Sequence, residues 1–365
     1  MTCFAFVVLY ARNRTQVSLP FMPSIHASDQ GHGRLIMPRK QEYGLRHLPV
    51  TWLRISGIGL LLLLVFWVGS TGAQASTTAT DAAPRVAAID WGQAQTLTAM
   101  GVPPVAVAQL DAYDTWVGEP KLPSSTRDVG LRTQPNLELL AQLNLDLITI
   151  TPMYASLKSR LQRIAPVKSV GIYYDDKPVW KATVQATKAL GRAVGQPQAA
   201  EQLIHRVTQR IAILADQLPD DVPPLLVVQF KDARHVRVYS DGSLIDATLK
   251  RLGLQNAWQG QQSLWGAVLV PIARLAGIHD ARMIVVEPVP AGVSDALDKS
   301  MIWRHLPIAR KHHVTYIPGV WSYGGLPSAV RFARLLVDAL GQHPGTTLAN
   351  NLRTPATRQP DNTSP

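Results

Sequence analysis

Six aromatic side chains and one arginine are the residues whose placement could do chemistry in this chain. Trp91 follows a short apolar run, Trp116 lies in the loop sequence DAYDTWVGEP, and Tyr154 stands just past the apolar stretch that ends at Ile150. In the second half, Trp265 sits in QSLWGAV, and Trp321 and Tyr323 share GVWSYGG. A single tryptophan is most often core packing. A set recurring in glycine-containing loops, rather than on periodic faces, predicts an aromatic-lined cleft. Arg132, in DVGLRTQPNLELL, precedes a helix expected to start at Pro135. Its guanidinium offers a rigid fork of donors suited to clustered oxygen acceptors. Together these residues could hold a flat, oxygen-rich ligand.

Catalytic signatures do not emerge. The chain has no nucleophile elbow, phosphate-binding glycine loop, H-E-x-x-H pair or dinucleotide fingerprint. His205, His235, His279 and His305 are dispersed without metal-ligand spacing, and His312-His313 reads as a solvated turn before a strand. Asp175-Asp176 and Asp220-Asp221 stand in turn-like contexts. The lone cysteine, Cys3, cannot build a disulfide or a thiolate site in the body of the chain.

Elements able to position the aromatics alternate along the sequence. Arg85–Ile89, Val105–Leu110, Leu145–Ile150 and Val170–Tyr174 read as strands, separated by helices at Gln93–Met100, Pro135–Leu143 and Ser156–Ile164. A second set of strands covers 225–230, 236–239, 282–287 and 314–318, with helices at Leu244–Leu252 and Pro327–Leu340. Near-continuous apolar strands between helices predict two α/β lobes with mostly parallel sheets. Ligands of such sheets bind outside the carboxyl ends of the strands, where several of the aromatics fall. Between the sets, Pro197–Leu218 carries one apolar stripe (Ala200, Leu203, Ile204, Val207, Ile211, Leu214, Leu218) and predicts one long helix joining the lobes. Twenty-two residues would make a rod of about 33 Å. The expected boundaries are an N-terminal lobe over 76–195, a connecting helix over 196–219, a C-terminal lobe over 220–345 and a disordered tail over 346–365.

With 365 residues, 46% of them hydrophobic and only 17% charged, the chain has ample core material for two domains. Formal net charge is +11, but seven of the 36 Lys and Arg and only two of the 25 Asp and Glu precede residue 76. The remainder carries 29 basic against 23 acidic residues, so the charge does not call for a nucleic-acid partner. Ile58–Val68 is an apolar run preceded by Arg39, Lys40, Arg46 and Arg54 and followed by Ala73-Gln74-Ala75. This is the pattern of a signal peptide with cleavage after Ala75; the run is short for a bilayer span of about 20 residues. Met37 is the expected start of an ordinary-length signal, and residues 1–36 an extension. A retained anchor is the alternative, while the absence of a cysteine at the cleavage point excludes a lipoprotein. The expected location is the periplasm.

The same residues carry a family likeness. RVAAIDW at 85–91, WVGEPKLP at 116–123, DVGLRTQPNLELL at 128–140, LQRIAP at 161–166, NAWQG at 256–260 and VWSYGG at 320–325 closely resemble the periplasmic ferric-hydroxamate siderophore-binding proteins of ABC importers. The likeness runs from about residue 84 to 341. It implies the architecture of class III periplasmic binding proteins, two lobes rigidly joined by one helix with a shallow cleft between them. It also implies that Arg132 and Tyr154 hydrogen-bond the hydroxamate oxygens around Fe(III), that Trp265 packs on the siderophore skeleton, and that Trp91, Trp116, Trp321 and Tyr323 complete the wall. The iron arrives already wrapped, so no cofactor and no protein metal ligands are expected. The implied partners are a ferric-hydroxamate siderophore and an inner-membrane ABC permease, the protein acting as a monomer. Glu138 is the implied permease contact on the N-lobe; the matching C-lobe stretch VPIARLAG has Ala273 where an acid is common. Arg237 replaces an expected apolar pocket residue and, if it faces the cleft, favours a siderophore bearing a carboxylate. Two other readings stand beside this one: the same scaffold holding cobalamin or haem, and an exported enzyme, which would need a nucleophile–base pair that does not stand out.

Overall fold

The structure is a computed structural model that describes residues 83–173, 178–309 and 314–341. The signal-like segment and Cys3, the Asp175-Asp176 turn, His312-His313 and the 346–365 tail lie outside these residues.

Two five-stranded sheets follow one another along the chain. The first contains β1 (Val86–Ala88), β2 (Ala106–Val107), β3 (Arg127–Asp128), β6 (Leu147–Ile150) and β7 (Val167–Ser169) in the order β3-β2-β1-β6-β7, all parallel. Between β3 and β6 a tight hairpin is formed by β4 (Gly130–Leu131) and β5 (Gln134–Pro135). The second sheet contains β8 (Leu225–Phe230), β9 (His235–Tyr239), β10 (Ala267–Pro271), β11 (Arg282–Val286) and β12 (Val314–Ile317), ordered β10-β9-β8-β11-β12. Here β8, β11 and β12 are parallel, but β9 runs antiparallel to both β8 and β10. The C-lobe sheet is therefore mixed. The short β8–β9 connection explains this, because a hairpin link cannot return a strand in the parallel direction. The expected strand at 170–174 is displaced: β7 ends at Ser169, before that apolar segment begins.

Helices cover both faces of each sheet. The N-lobe supplies α1 (Trp91–Ala99), α2 (Leu110–Trp116), α3 (Leu137–Gln142), α4 (Lys158–Leu161) and α5 (Val179–Ala193); α6 (Pro197–Ala215) leads to the second sheet. The C-lobe supplies α7 (Leu244–Arg251), α8 (Val293–Lys299), α9 (Met301–His305) and α10 (Leu326–Gly341). Helix α6 starts with Pro197, whose missing N–H costs nothing in a first turn. It ends at Ala215, three residues short of expectation, and spans about 28 Å. Its stripe of Leu203, Val207, Ile211 and Leu214 is buried, and it packs against α5 and α10. It is a core helix shared by both lobes, not a free-standing strut.

Three hydrophobic clusters result. Two are private, one on the outer face of each sheet, gathering Ile89, Ile148, Ile150 and Leu161 in the N-lobe and Leu226, Val228, Val236 and Val285 in the C-lobe. The third runs through both lobes, joining Val86 and Leu97 to Leu203 and Ile211, then to Val227, Ile284, Phe332 and Leu336. Polar and close-packed contacts reinforce that junction. Gln95 of α1 and Ser328 of α10 are hydrogen-bonded at 2.9 Å, and Glu119 pairs with Arg331 at 2.8 Å and Arg334 at 3.0 Å. Gly324 sits so near Ser328 Oγ and Gln95 Nε2 that no Cβ fits.

Two substitutions should separate packing from charge at this junction. Gly324→Ala is expected to lower unfolding free energy by about 1–3 kcal/mol through overpacking. Glu119→Gln removes a half-exposed ion pair and is expected to cost about 1 kcal/mol or less. Denaturant melts of both variants check the ranking.

Candidate functional site: an aromatic cleft between two arginines

The carboxyl ends of β1 and β12 lead to Trp91, the first residue of α1, and to the loop of Trp321 and Tyr323, while Trp116 ends α2 and Trp265 precedes β10. Asp90 follows β1 and caps α1, its carboxylate accepting from Gln93 N at 3.2 Å, so the first helical residue is Trp91. The Trp91 indole N–H donates to the Ala108 carbonyl at 2.9 Å, and only 1% of the residue is exposed. Trp91 is thus not a wall of the cleft. It is the cushion under Arg132, whose guanidinium carbon lies 3.9 Å from the Trp91 ring centroid and 5.2 Å from that of Trp321. Such stacking is worth about 0.5–2 kcal/mol and holds the fork in one orientation.

Arg132 stands at the two-residue tip of the β4–β5 hairpin rather than in a loop opening a helix. Pro135 belongs to β5, and α3 begins two residues later with Asn136 as its cap. The Arg132 Nε–H donates to Gln109 Oε1 at 3.3 Å, and the tip is held by a bond from Gln109 N to the Gly130 carbonyl. The nearest buried acid is Asp90. Burial pushes its carboxyl above the ordinary range, while the Arg132 charge and the Gln93 and Gly92 N–H groups pull it back only in part.

From Trp91 the ring contacts continue across the lobes. Trp321 meets Trp91 at 5.0 Å, Trp116 at 6.5 Å and Tyr323 at 5.7 Å, each edge-to-face. Tyr323 meets Trp265 at 6.2 Å and Tyr173 at 5.9 Å, and Tyr173 meets Trp265 at 5.9 Å. The far end of this ladder is Arg237, its guanidinium carbon 5.9 Å from the Tyr323 ring. Trp265 is placed by Gly266, whose backbone (φ +63°) lies against that of Gly242 and Ser243 with no space for a side chain. The Trp321 indole N–H is buried with no acceptor, an uncompensated donor of the kind that gathers at functional sites.

The structure thus links Arg132, Trp91, Trp116, Trp321, Tyr323, Trp265 and Arg237 in one series of contacts. Tyr154 lies in the six-residue 3₁₀ segment that follows β6, within the N-lobe cluster of Ile89, Ile150 and Leu157 and only 5% exposed. Glu138 is exposed on the first turn of α3, and Ala273 is exposed after β10. Tyr173 is the residue that the sequence reading missed. Its hydroxyl donates to the Ser322 carbonyl at 3.2 Å, tying the two lobes at the cleft, and burial raises its phenol above the ordinary range. Its signal in the sequence was an aromatic pair ending an apolar segment. The bland readings of two histidines hold: His235 pairs with Asp232, and His305 bonds the Met301 carbonyl. Among the described residues no three His, Cys, Asp or Glu side chains gather as a metal site, and no helix is long and apolar enough to cross a membrane.

Residues 86–320 match the family model described as a periplasmic binding protein. The chain belongs to that family. It is 33% identical over 258 residues to the iron(3+)-hydroxamate-binding protein FhuD of Escherichia coli, covering 70% of this chain and 87% of that one. Among solved structures it is similar to FhuD of Vibrio cholerae, a siderophore-binding protein determined with Fe3+–Desferal bound. The TM-score is 0.67 at 28% identity, covering 71% of this chain and 98% of the other. It also shares its fold with FeuA of Bacillus subtilis, TM-score 0.56 at 17% identity. The mixed C-lobe sheet and single connecting helix are therefore those of a class III periplasmic binding protein.

Tyr173→Phe should lower stability by about 1 kcal/mol, the net worth of one hydrogen bond. Tyr173→Ala should cost several-fold more by also removing a ring between Trp265 and Tyr323. Thermal melts of the two variants test whether Tyr173 clasps the lobes.

Proposed function

We propose that this protein is the substrate-binding component of an ABC importer, capturing Fe(III)-hydroxamate siderophores in the periplasm and delivering them to an inner-membrane permease. The observation that carries the reading is the Arg132 guanidinium stacked on Trp91 at the mouth of an aromatic ladder, in a chain whose relatives include proteins named for ferric hydroxamate and ferric siderophore binding. In this reading Arg132 and Tyr154 donate to the negatively polarised oxygens around the ferric ion. Trp265, Trp321, Trp116 and Tyr323 offer flat apolar surface to the organic skeleton. Exposed Leu131, Met153 and Leu264 each immediately precede one of the ligand residues Arg132, Tyr154 and Trp265, extending that apolar character outward. The ferric ion is cargo, fully ligated by its siderophore, so the protein acts as a carrier and needs neither metal ligands nor a catalytic base. Glu138 faces the permease, the protein works as a monomer, and its signal peptide is removed after Ala75.

Intrinsic tryptophan fluorescence tests this. Ferrioxamine B and ferrichrome should quench saturably, the iron-free siderophores more weakly, and Arg132→Ala should weaken ferric-hydroxamate binding by about 10- to 100-fold, as expected for hydrogen bonds from a charged donor. Saturable quenching by haem or cobalamin alone would overturn the reading. For export, the intact mass of the periplasmic protein should begin at Ser76; retention of residues 1–75 would contradict cleavage.

A further inference from the structure

Arg237 lies on β9, where alternate residues face opposite sides: Val236 and Val238 enter the outer C-lobe cluster, while Tyr239 enters the cluster shared by both lobes. Arg237 is therefore on the Tyr239 side. Its register fixes its height as well. It pairs with Gln229 on β8, one residue beyond the Val228–Val285 pair and level with Val286 and Ile317, the last residues of β11 and β12. That is the carboxyl edge of the C-lobe sheet, the edge from which Trp321 and Tyr323 emerge.

The side chain is held there by a relay. Arg237 Nη1 donates to Gln229 Oε1 at 3.0 Å, the buried Tyr239 hydroxyl contacts the same oxygen at 3.5 Å, and Gln229 Nε2 donates to the Glu287 carbonyl at 3.4 Å. Gln229 is buried. One neutral amide oxygen and the neighbouring Tyr239 hydroxyl, both uncharged, are a poor match for a guanidinium with five donors. Arg237 makes no ion pair with any carboxylate among the described residues. Glu287 approaches through its backbone carbonyl, and the rings beside Arg237 are Tyr323 and Tyr239. A half-buried cation without an anionic partner loses solvation that a surface arginine keeps. The surroundings thus position the fork and leave most of its donors for a ligand.

Resting on the siderophore-binding reading above, we infer that Arg237 is a specificity-determining residue: a second anion subsite that selects ferric chelates carrying a pendant carboxylate over neutral or cationic ones. Arg132 and Arg237 stand at opposite ends of the Trp91–Trp321–Tyr323 ladder, so one takes the chelated oxygens and the other the appended charge.

The test is a charge series on one chelate: ferrioxamine B with its free amine (cationic), its N-acetyl derivative (neutral) and its N-succinyl derivative (anionic). The wild-type chain should bind the succinyl form about tenfold or more tighter than the acetyl form, with the cationic form weakest and the preference shrinking as salt rises. Arg237→Gln should lose that factor for the succinyl form while changing acetyl binding less than about twofold, and Arg237→Lys should restore part of it. Equal loss for all three ligands would overturn the proposal, and so would a wild-type protein indifferent to pendant charge. The wild-type series needs no variant, so a poorly folding Arg237→Gln does not shelter the idea. Failure of all three to bind the wild type would instead overturn the siderophore reading itself.

Discussion

The site exists because the carboxyl edges of two sheets are held together by a core that does not stop at the lobe boundary. Leu203 and Ile211 of α6 belong to the same buried cluster as Val86 of the first sheet and Ile284 of the second. Close backbone approach at Gly324 and the Gln95–Ser328 bond leave little slack beside the cleft. A cluster that must remain buried on both sides resists hinge opening, because separating the lobes would expose apolar area at about 25 cal/mol per Å². The cleft is then a preformed surface. Affinity comes from placing donors and rings in advance rather than from closing around the cargo.

Electrostatics follow from the same frame. Two guanidinium groups flank the aromatic ladder, and burial raises the pKa of the Asp90 carboxyl, which the Arg132 charge offsets only in part. The cleft therefore presents positive charge against a low-dielectric aromatic background, where attraction to an anionic or oxygen-rich ligand is screened less than at an open surface. An already chelated ferric ion exposes polarised oxygens and a carbon skeleton. In the reading proposed above, arginine forks and indole faces complement those two surfaces.

Much of this was legible in the residues, and the exceptions have physical causes. Largely apolar runs such as LLVVQF and RMIVV reveal strands because all but Arg282 of their positions are buried, and the α6 stripe reveals a helix because its period is 3.6 residues. The two-residue strand β3 carries too few positions for any period to register, and β2 occupies only Ala106–Val107 of the strand expected at Val105–Leu110. Strand β10 alternates buried and exposed residues around Leu269 and ends in Pro271, which resembles a loop. Trp91 was readable only as one of an aromatic set, because the guanidinium that stacks on it comes from a hairpin tip 41 positions downstream. Tyr173 acts through a carbonyl 149 positions away, and no local motif announces such a bond. For Arg237 the sequence left the facing open; the burial of Val236 and Val238 in the outer C-lobe cluster and of Tyr239 in the shared one shows which face it takes, and the pairing with Gln229 fixes its height.

In the reading proposed above, the protein grips iron through its organic wrapping and not through its own atoms. Electron paramagnetic resonance of the bound ferric siderophore tests it most directly. The account predicts one high-spin ferric signal per chain, with the rhombicity of the free chelate preserved and no iron retained once the siderophore is removed. A signal reporting a changed ligand set, or iron that stays with the protein without its chelator, would contradict it.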